Sequence, residues 1–259
     1  MTASSALSQI IEGVLIDIES RKSPISKMKE DLKQAPQMRD AFKALSKDRL
    51  TLIAEVKRSS PSKGELAEIA DPILLANSYQ SGGAEIVSVL TEGRRFKGSI
   101  SDLISVRGSI DLPVLRKDFI VSEFQIYESR IIGSDLLLLI VAALSKSQLN
   151  DYYQLATELG MQVLVEVHDL DEVESAIEIG SKIIGVNCRN LKTLEVHPEA
   201  FELILPKLPA SVLKVAESGI STRDQVAKIE SLGANAILVG ETLVRAGNPV
   251  HTIKQLLNR

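Results

Sequence analysis

Cysteine is nearly missing from this chain of 259 residues, where Cys188 stands alone. A single thiol closes no disulfide framework and builds no thiolate metal cluster. Set in an apolar run, it reads as a small core residue rather than a nucleophile. The three histidines, His168, His197 and His251, show no HExxH or similar metal-ligand spacing, so no metal is expected. Tryptophan is absent and aromatics make up 3% of the residues, which removes the stacking platform of a single-strand binder. Neither sign of charge dominates: 30 basic and 34 acidic residues leave −4, and the basic ones are dispersed. That excludes general nucleic-acid binding but leaves room for a local pocket that takes a small anion. The longest apolar run, residues 136–144, is far short of a membrane span. The opening Met1-Thr2-Ala3-Ser4-Ser5 has no basic stretch followed by an apolar run, so no signal peptide is expected. A reducing cytoplasm fits these absences.

What is present is a loose repeat between residues 51 and 240. A glycine followed by a short aliphatic run recurs: Gly82-Gly83 before Ile86, Gly133 before Leu136, Gly160 before Val163, Gly180 before Ile183, and Gly233 before Ala236. Each glycine sits where a helix end wants positive φ. Each run is continuous and apolar, as a parallel strand buried on both faces requires. Runs at 51–56, 112–116 and 212–216 complete eight strands. Helical spacing fills 72–80, 148–159, 171–179 and 223–232, with Asp71, Ser147 and Thr222 as expected N-caps. Eight strand–helix units in about 200 residues predict a closed (β/α)₈ TIM barrel over residues 51–259. An open doubly wound sheet is the runner-up, but no Gly-rich phosphate fingerprint follows an early strand. Residues 1–50 read as a helical extension, with an amphipathic helix on Leu7, Ile10, Ile11, Val14, Leu15 and Ile18 and a second over 38–45. It is too small for its own domain, so 1–259 reads as one domain.

Polar groups stand where the apolar runs end. Glu55 and Lys57 share a face of the first strand, because side chains alternate. Arg116-Lys117-Asp118 ends the third, Glu166 lies in the fifth, Asn187 and Arg189 end the sixth, and Glu217-Ser218-Gly219 ends the seventh. In this fold the strand ends surround the active site, so all of them can converge on one mouth. Ser218-Gly219-Ile220 and Gly240-Glu241-Thr242 are small turns after the last two strands, where many barrels hold phosphate on backbone N–H groups. Lys57 could add a point charge there. The loop 58–64 is polar, basic and long enough to fold over a ligand, though an ordinary solvated loop has the same composition. Phe96 and Phe119 suggest apolar walls for a ring-bearing substrate.

These motifs resemble those of the indole-3-glycerol phosphate synthase family. The similarity lies in Ile53-Ala54-Glu55-Val56-Lys57-Arg58-Ser59-Ser60-Pro61-Ser62-Lys63-Gly64, Ser88-Val89-Leu90-Thr91-Glu92 with Phe96-Lys97-Gly98-Ser99, and Leu115-Arg116-Lys117-Asp118-Phe119-Ile120. It continues in Leu164-Val165-Glu166-Val167-His168, Gly185-Val186-Asn187 with Arg189-Asn190-Leu191, and Ala216-Glu217-Ser218-Gly219-Ile220. The resemblance implies a cofactor-free and metal-free step of tryptophan biosynthesis. It turns 1-(2-carboxyphenylamino)-1-deoxyribulose 5-phosphate into indole-3-glycerol phosphate, carbon dioxide and water. By the same resemblance Lys117 would be the general acid of ring closure and Glu166 its acid/base partner. Lys57 would assist dehydration or contact substrate, while Glu55 and Asn187 would position hydroxyls with Glu217 in support. Ser218, Gly219, Gly240 and Glu241 would hold phosphate, and Ser60, Phe96, Phe119, Arg189 and Leu191 would shape the anthranilate side.

A Lys near other cations and a buried Glu are expected to be tuned toward neutrality. Cys188 stands where the family more often has Asn, and is expected to point into the wall. Glu241 is an anion in a phosphate turn, so its carboxylate must face away or pair with Arg245. The partner is a phosphorylated small molecule, with no nucleic acid or membrane, and a monomer is the expected state. A Schiff-base aldolase, a phosphosugar isomerase and a non-catalytic phospholigand sensor are the competing readings.

Overall fold

The computed structural model of the chain describes residues 5–259. Residues 1–4, most of the stretch read above for a signal peptide, lie outside the described residues. Eight parallel strands alternate with helices and close on themselves: β1 (Thr51–Val56), β2 (Ile86–Leu90), β3 (Val114–Lys117), β4 (Leu136–Ile140), β5 (Gln162–Val167), β6 (Ile183–Asn187), β7 (Leu213–Glu217) and β8 (Ala236–Val239). The last pairs back onto the first, with Thr51 opposite Ala236. This is the TIM barrel that the repeat of aliphatic runs predicts.

Alternation along each strand divides the apolar residues into two cores. Ile53, Ile86, Leu115, Leu136, Leu164, Ile183 and Val215 fill the barrel. Their neighbours Leu52, Val87, Val114, Leu137, Val163 and Ile184 pack outward under the helices. Both sets are buried, which is why the strands read as continuous apolar runs rather than alternating ones. Gly83, at φ 97°, ends its helix in the left-handed conformation that glycine alone adopts without cost. Gly133, Gly160, Gly180 and Gly233 repeat the device before four other strands.

Several boundaries differ from the sequence reading. The third strand begins at Val114 because Pro113 has no N–H for the ladder, and it ends on Lys117. The seventh runs 213–217 and so includes Glu217. Ser145, not Ser147, caps Lys146–Glu158, forming a reciprocal capping box with Gln148. The extension holds three α-helices rather than two, Ala6–Arg21, Ile25–Asp31 and Ala41–Leu45. The last starts late because the Asp40 side chain accepts from the Lys43 N–H and so ends the preceding extended stretch. The extension packs on the barrel through Arg21–Glu128 at 2.8 Å and Arg94–Asp17 at 2.7 Å. No described helix is long and apolar enough to cross a membrane.

Candidate active site

Of the residues picked out from the strand ends and turns, all but Arg116 line one cavity of about 570 Å³ at the C-terminal mouth of the barrel. Parallel register explains the convergence. Leu90 lies opposite Lys117, Ile140 opposite Glu166, Glu166 opposite Gly185, and Asn187 opposite Glu217. Groups of inward phase on successive strands therefore reach the mouth at similar height. Leu138, Ile140 and Leu238 form an apolar floor beneath them, inside strands whose apolar runs carry no signal that sets these residues apart.

Lys117 is the hub. Its Nζ lies 3.1 Å from Glu166 Oε2 and 3.5 Å from Glu217 Oε2. Lys57 Nζ stands 3.3 Å from Glu55 Oε2 and 5.6 Å from the Phe96 ring centroid. Burial disfavours the Lys117 ammonium, but the carboxylates of Glu166, Glu217 and Glu55 outweigh it and hold its pKa above the ordinary lysine value. Burial likewise works against the Glu166 carboxylate, and Lys117, His168 and Asn187 outweigh that, holding its pKa below the usual range. The expected tuning toward neutrality is thus overturned for both: each is the other's counter-charge. Glu217 is the group that moves toward neutrality, up to about 8, because burial and the neighbouring Glu166 and Glu55 exceed the pull of Lys117. As a carboxylate Glu217 accepts no hydrogen bond from the described residues and meets Lys117 only ionically at 3.5 Å, whereas the protonated group shares a side-chain hydrogen bond with Glu166. Lys117 is shared between Glu166 and Glu217, while Lys57 is the cation beside Glu55.

Two glycines make room for these carboxylates. A Cβ on Gly185 would come within 2.0 Å of Glu217 Oε1, and one on Gly240 within 2.5 Å of Glu55 Oε2. Asn187 Oδ1 accepts from the Arg189 N–H at 2.9 Å, which fixes the amide while its side chain also bonds Glu166.

The other side of the mouth is built from backbone. Ser218 and Gly219 both have positive φ, 74° and 68°. For serine that conformation costs about 1 kcal/mol, and such strain gathers at ligand clamps. Cys188 lies beneath this turn, buried, with its thiol donating to the Ser218 carbonyl at 3.4 Å, and burial pushes its pKa up to about 11. It packs in the wall, as the sequence reading has it. The next turn, Gly240, starts the short helix Glu241–Val244, and Thr242 Oγ1 donates to Ile220 O at 2.7 Å, binding the two turns together. Glu241 does pair with Arg245, at 3.5 Å, but more closely with Lys63, at 2.7 Å. Lys63 escaped the sequence reading because its partner lies 178 positions away.

Lys63 belongs to a small hairpin, Ser59–Ser60 with Gly64–Glu65, that forms the loop after β1. Arg189 Nη1 donates to Ser62 Oγ at 3.1 Å, so the hairpin leans over the mouth from two sides. Ser60 Oγ is buried in it without a hydrogen-bond partner among the described residues. Phe96 and Phe119 stand together as one wall, ring centroids 6.1 Å apart, with Leu191 also lining the cavity.

Arg116 does not join the mouth. It faces the helices on the outer side of β3, with no exposed surface, paired to Glu128 at 2.8 Å and Asp118 at 3.1 Å. Strand alternation carries this signal, since Arg116 and Lys117 must point opposite ways. His168, two residues after Glu166 in the fifth-strand motif, brings its Nε2 to 3.4 Å from Glu166 Oε1, a contact the motif alone does not signal.

Comparison with known proteins agrees with this geometry. The family model for indole-3-glycerol phosphate synthase matches residues 7–256. Indole-3-glycerol phosphate synthase 1 of Streptomyces coelicolor is 50% identical over 255 residues, covering 98% of this chain and 95% of the relative. The Mycolicibacterium vanbaalenii synthase is 48% identical over 259 residues, covering 99% and 95%. Among solved structures, 3-hexulose-6-phosphate synthase from Salmonella typhimurium aligns with a TM-score of 0.66 at 15% identity, covering 81% of this chain and 97% of that one, and it shares the fold. The chain belongs to the indole-3-glycerol phosphate synthase family.

Proposed function

We infer that this mouth closes the indole ring of indole-3-glycerol phosphate in tryptophan biosynthesis, as a carboxy-lyase acting on 1-(2-carboxyphenylamino)-1-deoxyribulose 5-phosphate. The observation that supports the assignment of roles is Lys117, a charged acid held at the centre of the cavity by Glu166 and Glu217. The turns at Ser218-Gly219 and Gly240-Glu241 take the phosphate on backbone N–H groups, helped by the unbonded first N–H groups of a helix. Phe96, Phe119 and Leu191 take the anthranilate ring, with Ser60 and Arg189 at its edge. Lys57, between the aromatic wall and Glu55, reaches the middle of the substrate.

The chemistry follows from the charges. The ring carbon that bears the carboxylate attacks the ketone carbon, and the carbonyl oxygen gains an electron pair. An alkoxide is a far stronger base than an amine, so even a tightly held ammonium protonates it, and Lys117 gives up its proton there. Carbon dioxide then leaves with the ring carbon's bond to the carboxyl group broken and its electrons returned to the ring system. Dehydration removes the new hydroxyl as water, with Lys57 or the reprotonated Lys117 as acid and Glu166 taking the proton that restores aromaticity. Glu55 and Asn187 hold hydroxyls, and Glu217 sets the charge around Lys117.

A cytoplasmic setting goes with this reading, as does a single folding unit of extension and barrel, supported by the Arg21–Glu128 and Arg94–Asp17 pairs. The test is incubation of purified protein with the carboxyphenylamino ribulose phosphate while indole fluorescence is followed. Growth of the signal supports the assignment, and folded protein that yields no indole overturns it. Borohydride trapping of a substrate adduct would favour a Schiff-base aldolase instead.

A further inference from the structure

We propose that His168 is a positioning residue for Glu166: clamped by Glu172 and carrying both ring protons, it keeps the carboxylate ionised and aimed at Lys117. The proposal rests on the reading of Glu166 as the acid/base group.

The clamp is written into a helix start. Asp169 caps the helix Leu170–Glu178 by accepting from the Glu172 N–H at 2.9 Å. That turns the Glu172 side chain back toward the end of β5. There its Oε2 accepts from the His168 backbone N–H at 2.7 Å and lies 3.0 Å from the ring Nδ1. Beside a carboxylate, Nδ1 must carry a proton. If the ring were neutral, Nε2 would then be a bare lone pair facing Glu166 Oε1 at 3.4 Å, two acceptors in opposition. The imidazolium alone suits both neighbours. At 3.4 Å the contact with Glu166 is a long, charge-assisted one. The electrostatics agree: burial disfavours the charged ring, but Glu166 and Glu172 outweigh it and push its pKa up to about 10.

His168 does not line the substrate cavity, so it acts through Glu166. The charged groups facing the ring are Glu166 from its own strand and Glu172 from the following helix. Behind Glu166 stand Lys117 of β3 and Glu217 of β7. Glu166 is thus held between two cations, Oε2 by Lys117 and Oε1 by His168. The arrangement matters when Lys117 gives its proton to substrate. At that moment Glu166, 1% exposed, would be a buried charge without a counter-charge, and His168 remains to supply one.

The experiment uses His168→Gln, Glu172→Gln and Glu166→Gln. In kcat/KM against pH, removing a cation beside Glu166 makes it protonate more readily. The acid limb of His168→Gln is therefore expected to move up by about 1 pH unit, within the range for one opposite charge nearby. Glu172→Gln should shift it the same way by less, and serves alone if His168→Gln fails to fold. A merely structural histidine would change KM or Tm and leave the limb in place, which would overturn the proposal. A second readout does not depend on activity. With only three histidines in the chain, the His168 imidazole signal is assigned by its loss in His168→Gln. It should remain that of an imidazolium from pH 6 to pH 8, and a wild-type ring that titrates near 6.5 overturns the clamp. Glu166→Gln separates the two ideas. If it keeps turnover, the acid/base reading of Glu166 falls; if it is inactive while the His168→Gln limb stays put, only the clamp falls.

Discussion

Arg116 and Lys117 are neighbours on one strand and anchor two buried charge networks of different construction. On the outer face, Arg116 meets Glu128 and Asp118 and donates to Thr91 Oγ1, Ser129 Oγ and the Gln125 carbonyl. Asp118 in turn accepts from Thr91 Oγ1 and from the Phe119 N–H. At the mouth, Lys117 faces Glu166 and Glu217 with Glu55 nearby, and neither Glu217 oxygen accepts a hydrogen bond among the described residues. The first network is saturated and serves the fold. The second leaves Glu217 with one long cation contact and no donor to its oxygens, a buried polar group free to change partners as the chemistry proceeds. Buried charge alone does not mark function; incomplete satisfaction does.

The contrast can be broken by mutation, and the outer network gives the largest effect. Arg116→Ala leaves Asp118 buried without its counter-charge and takes from Glu128 one of its two arginines, and should cost about 3–5 kcal/mol of stability. Urea denaturation at neutral pH measures it, and a loss under 1 kcal/mol would mean the outer network is dispensable. Gly185→Ala sharpens the comparison from the mouth. The new methyl displaces the flexible end of Glu217 rather than backbone, so Tm should change little. Turnover should fall about 100-fold, the usual consequence of displacing a site group by about 1 Å. Steady-state kinetics beside a thermal melt would show the split.

The smallest effect concerns pH. Because the folded pKa of Glu217 is raised, to about 8 from 4.5, the folded state holds a proton that the unfolded state releases. Its contribution to stability is full below pH 4.5 and is lost as pH rises through about 8. Glu217→Gln cannot titrate, so above pH 8 it should melt roughly 2–4 °C higher than wild type, about 1 kcal/mol for a domain this size. Melts at pH 5 and pH 9 test the sign, with the gap between the proteins widening at the higher pH.

Much of this was legible in the chain. Aliphatic runs announced by glycine mark the strands, and alternation puts Glu55, Lys117 and Glu166 at the mouth. What escaped depended on partners distant in sequence. Lys63 makes sense only beside Glu241, and Gly185 only beneath the Glu217 carboxylate. The protonation pattern was misread because a lone buried Lys or Glu moves toward neutrality, whereas a pair fixes its own charges. The outward direction of Arg116 was available from alternation and was obscured by grouping it with Lys117.

The most direct measurement is single-turnover indole fluorescence with Lys117→Ala at saturating substrate, with binding and Tm measured on the same sample. The account predicts bound substrate, a cooperatively folded protein and a chemical step slowed by about 10²–10⁴. Indole formed within tenfold of the wild-type rate would contradict it, and would move the proton of ring closure away from Lys117.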